Sequence, residues 1–371
     1  MTEVYVVADN IISPLGLTTA ANFSQLKQSA SGIKQHTSSI SATPFYASLF
    51  DKETDLGDGE TKFEKLLIAS VKDALQNTTI NPADKRTGLI ISSTKGNINL
   101  LETATNTSEL KDRIALHTSA KIVAEHFHFT SQPIIVSNAC ISGLLALLTG
   151  MRLIKAGQYD NVVVVGADVI SEFVLSGFQS FQAVSQEPCK PFDANRKGIN
   201  LGEGGGTIIL SSCKKNEGDI KLTGGSISND ANHISGPSRT GEELFQAISK
   251  AIEQAKVTAA DIDYISAHGT ATLYNDEMES KAITLGNLQN VPVNSLKGYY
   301  GHTLGAAGLI ESIITIHSMK ENIVLPSLGF EEMGVSNPLN ICSNLQHTKL
   351  TNCLKTASGF GGCNAALVFS K

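Results

Sequence analysis

The feature that most constrains this chain is a weak internal duplication. Residues 74–84 and residues 251–261 both read as a helix end, a short connection and the approach to a strand. Each is followed by an apolar run that stops at small polar residues, Leu89-Ile90-Ile91 in the first half and Tyr264-Ile265 in the second. A repeat on this scale decides the fold prediction, because each copy must form a similar unit and bury its apolar face on the other.

The same order of elements continues along both copies. The strand, turn and helix around Cys140 correspond to a strand at 291–294, a glycine-bearing loop ending at His302 and a helix at 309–319. Two further strand pairs follow, 162–165 with 323–325 and 204–210 with 361–369. The number of residues that separates equivalent positions along the sequence is smaller at Cys140 and His302 than at the first pair of segments. The first half therefore contains an insertion relative to the second, which we place within residues 97–129.

Alternating helices and nearly continuous apolar strands predict an α/β fold whose sheets are covered by helices. We expect two pseudo-symmetric halves, residues 1–215 and residues 216–371. A pseudo-twofold axis between them would bring the equivalent ends of their central helices together. Cys140 and His302 occupy equivalent positions, so the duplication predicts that these two side chains face each other.

Composition limits the possible classes of protein. The chain has 371 residues, 41% of them hydrophobic and 17% charged, which is enough for one large core or two fused halves. The net charge of −6 gives no sequence-wide electrostatic footprint for nucleic acid or an anionic membrane. Residues 1–5 lack the features of a signal peptide, and the apolar run 144–148 is too short for a membrane span, so we expect a cytoplasmic protein.

The cysteines and histidines predict neither disulfides nor a metal site. Six cysteines are scattered without C-x-x-C spacing, as expected of thiols in a reducing compartment. His126 and His128 would share one face of a strand, but no nearby cysteine or carboxylate cluster completes a metal-binding set. We therefore interpret this pair as ordinary surface or core histidines.

Cys140 is the first candidate for chemistry. It lies between an apolar run at 134–136 and a helical run that begins at residue 141. A helix N-terminus favours an anion and lowers the pKa of a thiol, so the position suits a nucleophile. The alternative is a small buried hydrophobic residue, which most cysteines are. The expected proximity of His302 favours the nucleophile.

Two histidine segments and a glycine loop supply what a cysteine nucleophile needs. His268 follows a strand, and His302 precedes a helix. The loop Gly359-Phe360-Gly361-Gly362 can bring backbone N–H groups close to a ligand. Either histidine could instead be a hydrogen-bonded core residue at a strand end. The glycine run at 202–207 is not a phosphate loop, because no Lys-Ser/Thr pair follows it and a strand comes next.

In their order and approximate spacing these segments resemble the β-ketoacyl-acyl-carrier-protein synthases, the condensing-enzyme branch of the thiolase-like superfamily. The resemblance extends from residues 11–16 to residues 364–369. The motifs that carry it are Ala139-Cys140, Lys190-Pro191-Phe192-Asp193 with Leu201-Gly202-Glu203-Gly204, His268-Gly269-Thr270, Gly301-His302-Thr303 and Gly359-Phe360-Gly361-Gly362. It implies the thiolase-like fold, in which two pseudo-symmetric halves form a five-layer αβαβα sandwich.

The resemblance implies a decarboxylative Claisen condensation. Cys140 would take an acyl chain from a carrier-protein thioester, and the backbone N–H groups of Cys140 and Phe360 would form an oxyanion hole. A malonyl carrier protein would then lose carbon dioxide, with His268 and His302 stabilising the resulting enolate. Substrates would arrive on the phosphopantetheine of acyl carrier protein, with no further cofactor and no metal.

The resemblance assigns supporting roles to further residues. Lys297 would be an orienting and electrostatic catalytic residue paired with Glu311, although the two could form an ordinary structural ion pair. Thr270 and Thr272 resemble the hydroxyls that hold the pantetheine arm, and Phe360 resembles a gating aromatic.

Two acidic residues after the His268 motif have a structural interpretation. Asp276 and Glu279 can cap or support the His268 loop, so we assign them a structural role in place of a catalytic one.

Some positions depart from the family pattern. Thr356-Ala357-Ser358 stands where Asn-Ser-Phe is usual, and Cys363 stands where threonine is usual. Residues 97–129 are shorter than in fatty-acid elongating members, which trims a segment that lines the acyl pocket. We therefore expect a specialised synthase for a fatty-acid-like, polyene or polyketide-like product.

The resemblance also implies partners. We expect a dimer formed through the strand at 162–165, either a homodimer or a heterodimer with a cysteine-less, non-catalytic chain-length partner. Candidate basic residues for carrier-protein docking are Arg152, Lys155, Arg196 and Lys197.

Two other classes of protein are less well supported. A non-catalytic partner subunit would lack Cys140. A thiolase would need a second active-site cysteine, but Cys363 lies beyond the glycines and Ser358 occupies the expected place.

Overall fold

The computed structural model describes residues 2–102, 107–231 and 236–371. The first half contains strands and helices in the order β1 (Tyr5–Ile12), α1 (Thr19–Lys27), β2 (Ile33–His36), β3 (Phe45–Ser48), α2 (Lys62–Gln76), β4 (Thr87–Ser92), α3 (Ser108–Ile114), α4 (Leu116–His126), β5 (Ile134–Val136), α5 (Ser142–Lys155), β6 (Asn161–Asp168), α6 (Glu172–Ser180), β7 (Leu201–Gly202) and β8 (Gly204–Ser211).

The second half repeats much of this order with fewer additions. Its elements are β9 (Ile220–Asn229), α7 (Glu242–Ala255), β10 (Tyr264–Ser266), α8 (Leu273–Leu285), β11 (Val293–Asn294), α9 (Lys297–Tyr300), α10 (Ala307–Glu321), β12 (Ile323–Val324), β13 (Gln346–His347), β14 (Asn352–Gly359) and β15 (Cys363–Ser370).

Ten strands form one mixed sheet in the order β11-β10-β14-β15-β9-β1-β8-β6-β4-β5. The first and last five strands have the same arrangement about the β9–β1 junction, where Tyr5 pairs with Lys221 and Val6 with Ile220. Each half places its first strand at the junction and its third at the outer edge. The duplication is therefore present in the topology.

Five layers follow from where the helices pack. Helices α5 and α10 pack on each other and against strands of both halves, enclosing the largest apolar cluster. Helix α2 covers the outer face of the first half over a second apolar cluster, and α7 covers the second half over a third. The two five-stranded halves of this sheet thus lie on opposite sides of α5 and α10, and the layers are helix, half-sheet, helix, half-sheet and helix, as predicted.

Two glycines let the central helices start side by side. A Cβ atom on Gly143 of α5 would lie 2.7 Å from the backbone nitrogen of Leu309, and one on Gly308 of α10 would lie 2.8 Å from the backbone nitrogen of Leu144. Real Cβ atoms do not approach this closely, so larger residues would push the helices apart. This contact brings the turns that precede the two helices together.

Most predicted repeat pairs are confirmed, and one is wrong. Strands β4 and β10, β5 and β11, and β8 and β15 occupy equivalent positions. The partner of β6, which contains residues 162–165, is β14 and not the segment at 323–325. That segment contains β12, which pairs with β13 in a separate two-stranded sheet. Its apolar composition resembled a sheet strand, but burial beneath α10 accounts for it equally well.

The predicted insertion lies between β4 and β5. A 3₁₀ helix at Ile98–Glu102, helix α3 and helix α4 are found there, whereas α8 is the single helix between the equivalent strands β10 and β11, all of whose residues are described. Residues 103–106, which belong to the predicted insertion, lie outside the described residues.

The strand predicted to form the dimer contact is not available for it. Strand β6 pairs with β4 on one side and with β8 on the other. The edge strand of the first half is β5, which directly precedes Cys140. Sequence patterning identified a buried strand but could not show which strand lies at the edge.

Two general features complete the fold. All six cysteines are free thiols. Among the described residues, no helix combines the length and the hydropathy needed to cross a membrane.

Candidate active site

Cys140 lies in the tight turn between β5 and α5. Ala139 before it has a φ of 43°, and the Ser142 hydroxyl accepts a hydrogen bond from the Asn138 backbone N–H at 2.8 Å. Cys140 is buried, with 8% of its surface exposed, and lies just before the N-terminus of helix α5. The turn therefore fixes the sulfur at a helix N-terminus, as the sequence predicts.

The sulfur meets His302 from the other half of the chain. Nε2 of His302 lies 2.9 Å from Sγ of Cys140. Two backbone hydrogen bonds hold His302 in place, from its N–H to Asn200 O at 2.7 Å and from Gly202 N–H to its carbonyl at 3.0 Å. The predicted juxtaposition of equivalent turns is thus present as a direct contact.

His268 completes a group of three. Its ring stands edge-on to that of His302, with 5.3 Å between centroids. One ligand atom from each of Cys140, His268 and His302 lies within 4.8 Å of the others, and all three side chains are buried. Two imidazoles and one sulfur therefore face a common point.

Two carboxylates hold the His268 loop by its backbone. Glu279 accepts hydrogen bonds from the N–H groups of His268 and Gly269, each at 2.8 Å. Asp276 accepts from the N–H groups of Thr270 at 2.9 Å and Phe192 at 2.8 Å. Neither acid reaches the sulfur through these bonds, so the contacts are those of structural support.

A buried cluster of charge lies behind the histidines. Lys297 donates to the His268 carbonyl at 3.1 Å and forms a short ion pair with Glu311. Lys355, which the sequence motifs do not contain, places its Nζ 2.8 Å from the other oxygen of Glu311. We call Lys297, Glu311 and Lys355 the lysine–glutamate cluster. The sequence predicts two of its members and misses the third.

The protonation states differ from the sequence expectation at Cys140. Burial, with a smaller contribution from the neighbouring Cys363, raises the pKa of its thiol to about 12, while Lys297 and the Phe360 N–H act in the opposite direction. The expectation of a lowered thiol pKa is therefore wrong for the resting protein, because desolvation outweighs the helix terminus. The resting thiol therefore keeps its proton, and Nε2 of His302, 2.9 Å away, is placed to accept it as the sulfur attacks.

Both histidines are available as neutral bases and hydrogen-bond donors. Burial holds the pKa of His268 well below its ordinary value, with further lowering by Lys297, His302 and Lys355. Burial, Lys297 and Lys355 lower the pKa of His302 in the same direction. A neutral imidazole can accept the thiol proton or donate through Nε2–H to a developing anion.

The three side chains open into a cavity of about 490 Å³. Its wall includes Thr270 and Thr272, whose hydroxyl oxygens lie 2.8 Å apart. Arg196 also lines it but is buried, with its guanidinium bonded to backbone carbonyls. Arg196 is therefore not a surface docking charge, whereas Lys197 is exposed beside the cavity and pairs with Glu187 at 3.3 Å.

A group of aromatic rings lines the same cavity as Cys140. Phe360 stacks on Phe178 with 5.6 Å between centroids and meets Phe181 edge-on at 5.3 Å. Phe360 is partly exposed at 36%, as a movable gate would be. Phe178 and Phe181 escaped the sequence prediction because they belong to α6 and its C-terminal end, with no motif around them.

The residues that depart from the family pattern surround the Phe360 loop. The Ser358 hydroxyl donates to the Asn364 side chain at 2.7 Å, and the Thr356 hydroxyl donates to Glu279 at 2.6 Å. Cys363 lies with Sγ 3.4 Å from the Phe360 carbonyl. Thr356 thus extends the support of the His268 loop, and Cys363 contacts the Phe360 backbone.

The same cysteine and histidines are the residues that could hold a metal ion in the described part of the chain. Metal-binding histidines normally donate their second nitrogen to a partner, but Nδ1 of each histidine is buried with no partner among the described residues. Two ammonium groups behind them also oppose a cation. The arrangement suits anion stabilisation better than metal binding.

Two family descriptions match this chain and together cover most of it. The family description "Beta-ketoacyl synthase, N-terminal domain" matches residues 1–216, and "Beta-ketoacyl synthase, C-terminal domain" matches residues 220–331. The chain belongs to the β-ketoacyl synthase family.

Individual relatives agree with this assignment. A 3-oxoacyl-[acyl-carrier-protein] synthase 2 from Rhizobium meliloti is 32% identical over 64% of this chain, and the match covers 60% of that protein, less than two thirds of its length. The enzyme of the same name from Vibrio cholerae is 28% identical over 100% of this chain and 99% of its own.

A solved structure shows the same fold. A ketosynthase from Xenorhabdus doucetiae, determined in complex with its chain length factor, has a TM-score of 0.87 and 24% identity and covers 100% of this chain and 98% of its own. The fold is the thiolase-like fold of ketosynthases.

Proposed function

We propose that this protein is a β-ketoacyl-acyl-carrier-protein synthase that joins a Cys140-bound acyl chain to the two-carbon unit of a malonyl carrier protein. The contact between Cys140 Sγ and His302 Nε2 at 2.9 Å, with His268 beside it, carries the proposal. One thiol and two neutral imidazoles around a single cavity supply the groups needed for acyl transfer and for enolate stabilisation.

The first step is acyl transfer to sulfur. As an acyl thioester enters, the Cys140 thiol gives its proton to His302, and the thiolate attacks the carbonyl carbon. The oxyanion accepts hydrogen bonds from the backbone N–H groups of Cys140 and Phe360, and one such donor is typically worth about 10²–10³ in rate. The pantetheine thiolate leaves and takes the proton back from His302.

The second step uses the histidines. The malonyl carboxylate leaves as carbon dioxide, and the enolate oxygen accepts hydrogen bonds from His268 and His302. The enolate carbon then attacks the Cys140 thioester, the tetrahedral intermediate expels the cysteine thiolate, and the thiolate regains a proton from solvent. The lysine–glutamate cluster favours the negative charge of the enolate.

The cavity suits a substrate delivered on a flexible arm. Thr270 and Thr272 line the wall where hydroxyls can bind the amides of a phosphopantetheine arm, and Lys197 offers an exposed charge nearby for an acidic carrier protein. We propose that acyl carrier protein delivers both substrates and that no dissociable cofactor or metal takes part. Six free thiols accord with a reducing compartment, for which we propose the cytoplasm.

The proposed assembly is a dimer joined along the edge strand β5. Edge strands carry unpaired backbone groups that a second chain can satisfy, and β5 ends the sheet on the side that leads into Cys140. The partner is a second copy or a ketosynthase-like chain-length subunit, as in the Xenorhabdus complex. Mass photometry of the purified protein alone separates these two cases.

The proposed product is a polyene or polyketide-like chain. The shortened region between β4 and β5 and the changed residues at the gate support a specialised acyl chain. Competition between primers tests this part of the proposal. Unsaturated or oxidised primers should outcompete saturated long chains, and a strong preference for saturated long chains would contradict it.

Intact-mass analysis tests the function as a whole. Mixed with an acyl carrier protein, the wild-type protein should gain the mass of the acyl group. Malonyl carrier protein should then discharge the adduct and produce a ketoacyl chain longer by two carbons. An adduct that persists on the Cys140→Ala protein, or an adduct that malonyl carrier protein never discharges, would contradict the proposal.

A further inference from the structure

Lys355 is a fully buried lysine that lies outside every sequence motif of the site. It belongs to β14, where it pairs with Leu367 of β15 on one side and with Ser266 of β10 on the other. A buried ammonium group is costly unless it is paired and hydrogen-bonded. The hydrogen bonds and the ion pair of Lys355 therefore indicate its role.

The ammonium group of Lys355 holds the end of the strand that presents His268. Nζ donates to the carbonyls of Ser266 at 3.1 Å and Ala267 at 3.2 Å, and Lys297 donates to the next carbonyl, that of His268. The backbone N–H groups on the other side of this turn go to Glu279 and Asp276. Two lysines and two acids thus fix the turn from both sides.

The same ammonium group changes the balance of charge. Glu311 is a single carboxylate between Lys297 and Lys355, so two ammonium groups share one carboxylate in the lysine–glutamate cluster. Burial lowers the pKa of Lys355, whereas Glu311 and Glu279 raise it. Glu279 itself accepts hydrogen bonds from two backbone N–H groups and the Thr356 hydroxyl. The titratable groups around the histidines and Cys140 include Lys297 of α9, Glu311 of α10, Lys355 of β14, Asp276 and Glu279 of α8, Asp168 of β6, Arg196 beside Asp276, and Cys363.

We propose that Lys355 is a positioning residue for the condensation, which fixes the His268 turn and sets a positive charge behind both imidazoles. The inference rests on the proposed function, which supplies the reaction that the charge assists. During decarboxylation negative charge passes from the malonyl carboxylate to the enolate oxygen between the histidines. A fixed ammonium group behind them favours that anion and disfavours an imidazolium.

The direction of the pH effect follows from this placement. Lys355 is one of the groups that lower the pKa of both His268 and His302. Its removal should raise both pKa values, so more of each imidazole is protonated near neutral pH. The acid side of the pH profile for decarboxylation should then move to higher pH by about one pH unit or more.

Two variants separate charge from packing. Lys355→Met keeps the length of the side chain and removes its charge, while Glu311 retains Lys297. Lys355→Gln also removes the charge but keeps a donor for the strand carbonyls. The matched control is Arg113→Met, which takes a cation from the buried Glu64 in the outer layer, away from the histidines.

The measurements are carbon dioxide release from malonyl carrier protein across pH, acylation of Cys140, thermal unfolding, and histidine-ring NMR titration of the resting protein. Both Lys355 variants should release carbon dioxide about tenfold more slowly at neutral pH. The acid side of their pH profile for decarboxylation and the titration midpoints of the histidine rings should both shift to higher pH. Acylation should change by only a few fold. Arg113→Met should lose stability without moving either profile.

Three results would overturn the inference. Lys355 would be purely structural if its variants lost stability while the pH profile and ring titrations stayed where they are in the wild type. It would be a folding requirement if neither variant folded. A fall in the histidine-ring pKa values of the Lys355 variants would contradict the predicted direction of the effect. The NMR titration needs no activity, so an inactive wild-type protein would refute the proposed function and leave this test intact.

Discussion

The two halves of the molecule bring equivalent turns to the cavity, one between β5 and α5 and one between β11 and α10. The first turn offers a single sulfur in largely apolar surroundings. The second offers His302, backed by the lysine–glutamate cluster and accompanied by the supported His268 turn. Under the proposed function, the same topology yields a site for holding an acyl group in one half and a site for stabilising an anion in the other.

This difference between the two turns agrees with the position of the lysine–glutamate cluster, which lies behind the histidines and not behind Cys140. A thiol that must carry an acyl chain gains from a dry pocket, although burial there raises its pKa. An enolate needs donors and positive charge fixed before it forms. If the halves divide the work in this way, substitutions on each side should affect different steps.

The largest effect is expected for the sulfur of the first half. Cys140→Ala should abolish acyl-enzyme formation and lower condensation by about 10⁴-fold or more, because Cys140 supplies the sulfur that contacts His302. Mass spectrometry after incubation with acyl carrier protein measures the loss. Acylation of this variant at Cys363, the nearby thiol, would show that the first half does not hold the nucleophile alone.

The next effect belongs to the second half. His268→Ala should slow decarboxylation by about 10²–10⁴-fold while Cys140 is still acylated, since His268 lies beside His302 and not on the sulfur. Rapid-quench assays follow the two steps separately. His302→Ala is the matched comparison and should slow both steps, because Nε2 of His302 contacts Sγ.

A smaller effect should follow from weakening the support of the His268 turn. Glu279→Gln replaces a carboxylate that accepts two backbone N–H bonds, and its amide nitrogen would face a donor. We expect about 1–3 kcal/mol less stability and a lower decarboxylation rate with acylation retained. Urea unfolding and the two step assays measure these quantities. Equal losses in both steps would indicate a general distortion of the cavity.

The smallest effect should come from the aromatic group that spans the halves. Phe181 is 54% exposed and meets Phe360 by its edge, so Phe181→Ala removes a contact worth about 0.5–1.5 kcal/mol. The change should alter the KM for acyl carrier protein by a few fold and leave the decarboxylation rate unchanged. A large fall in kcat would assign Phe181 a role in the chemistry.

The sequence allowed the architecture and most of the site to be predicted because the duplication and the motifs are local. Cys140, His268, His302, Lys297 and Glu311 each lie at a recognisable turn or helix start. Lys355 and Phe178 lie in ordinary strand and helix patterns, and only the folded chain brings them to the site. The edge position of β5 and the raised pKa of Cys140 depend on strand order and burial, which a motif does not encode.

The division of labour is tested most directly by comparing Cys140→Ala with His268→Ala in the two half-reactions. The Cys140→Ala protein should form no acyl adduct yet still release carbon dioxide from malonyl carrier protein, because its second half is intact. The His268→Ala protein should show the reverse. If both variants lose both half-reactions to the same extent, the two halves do not divide the chemistry and the account is wrong.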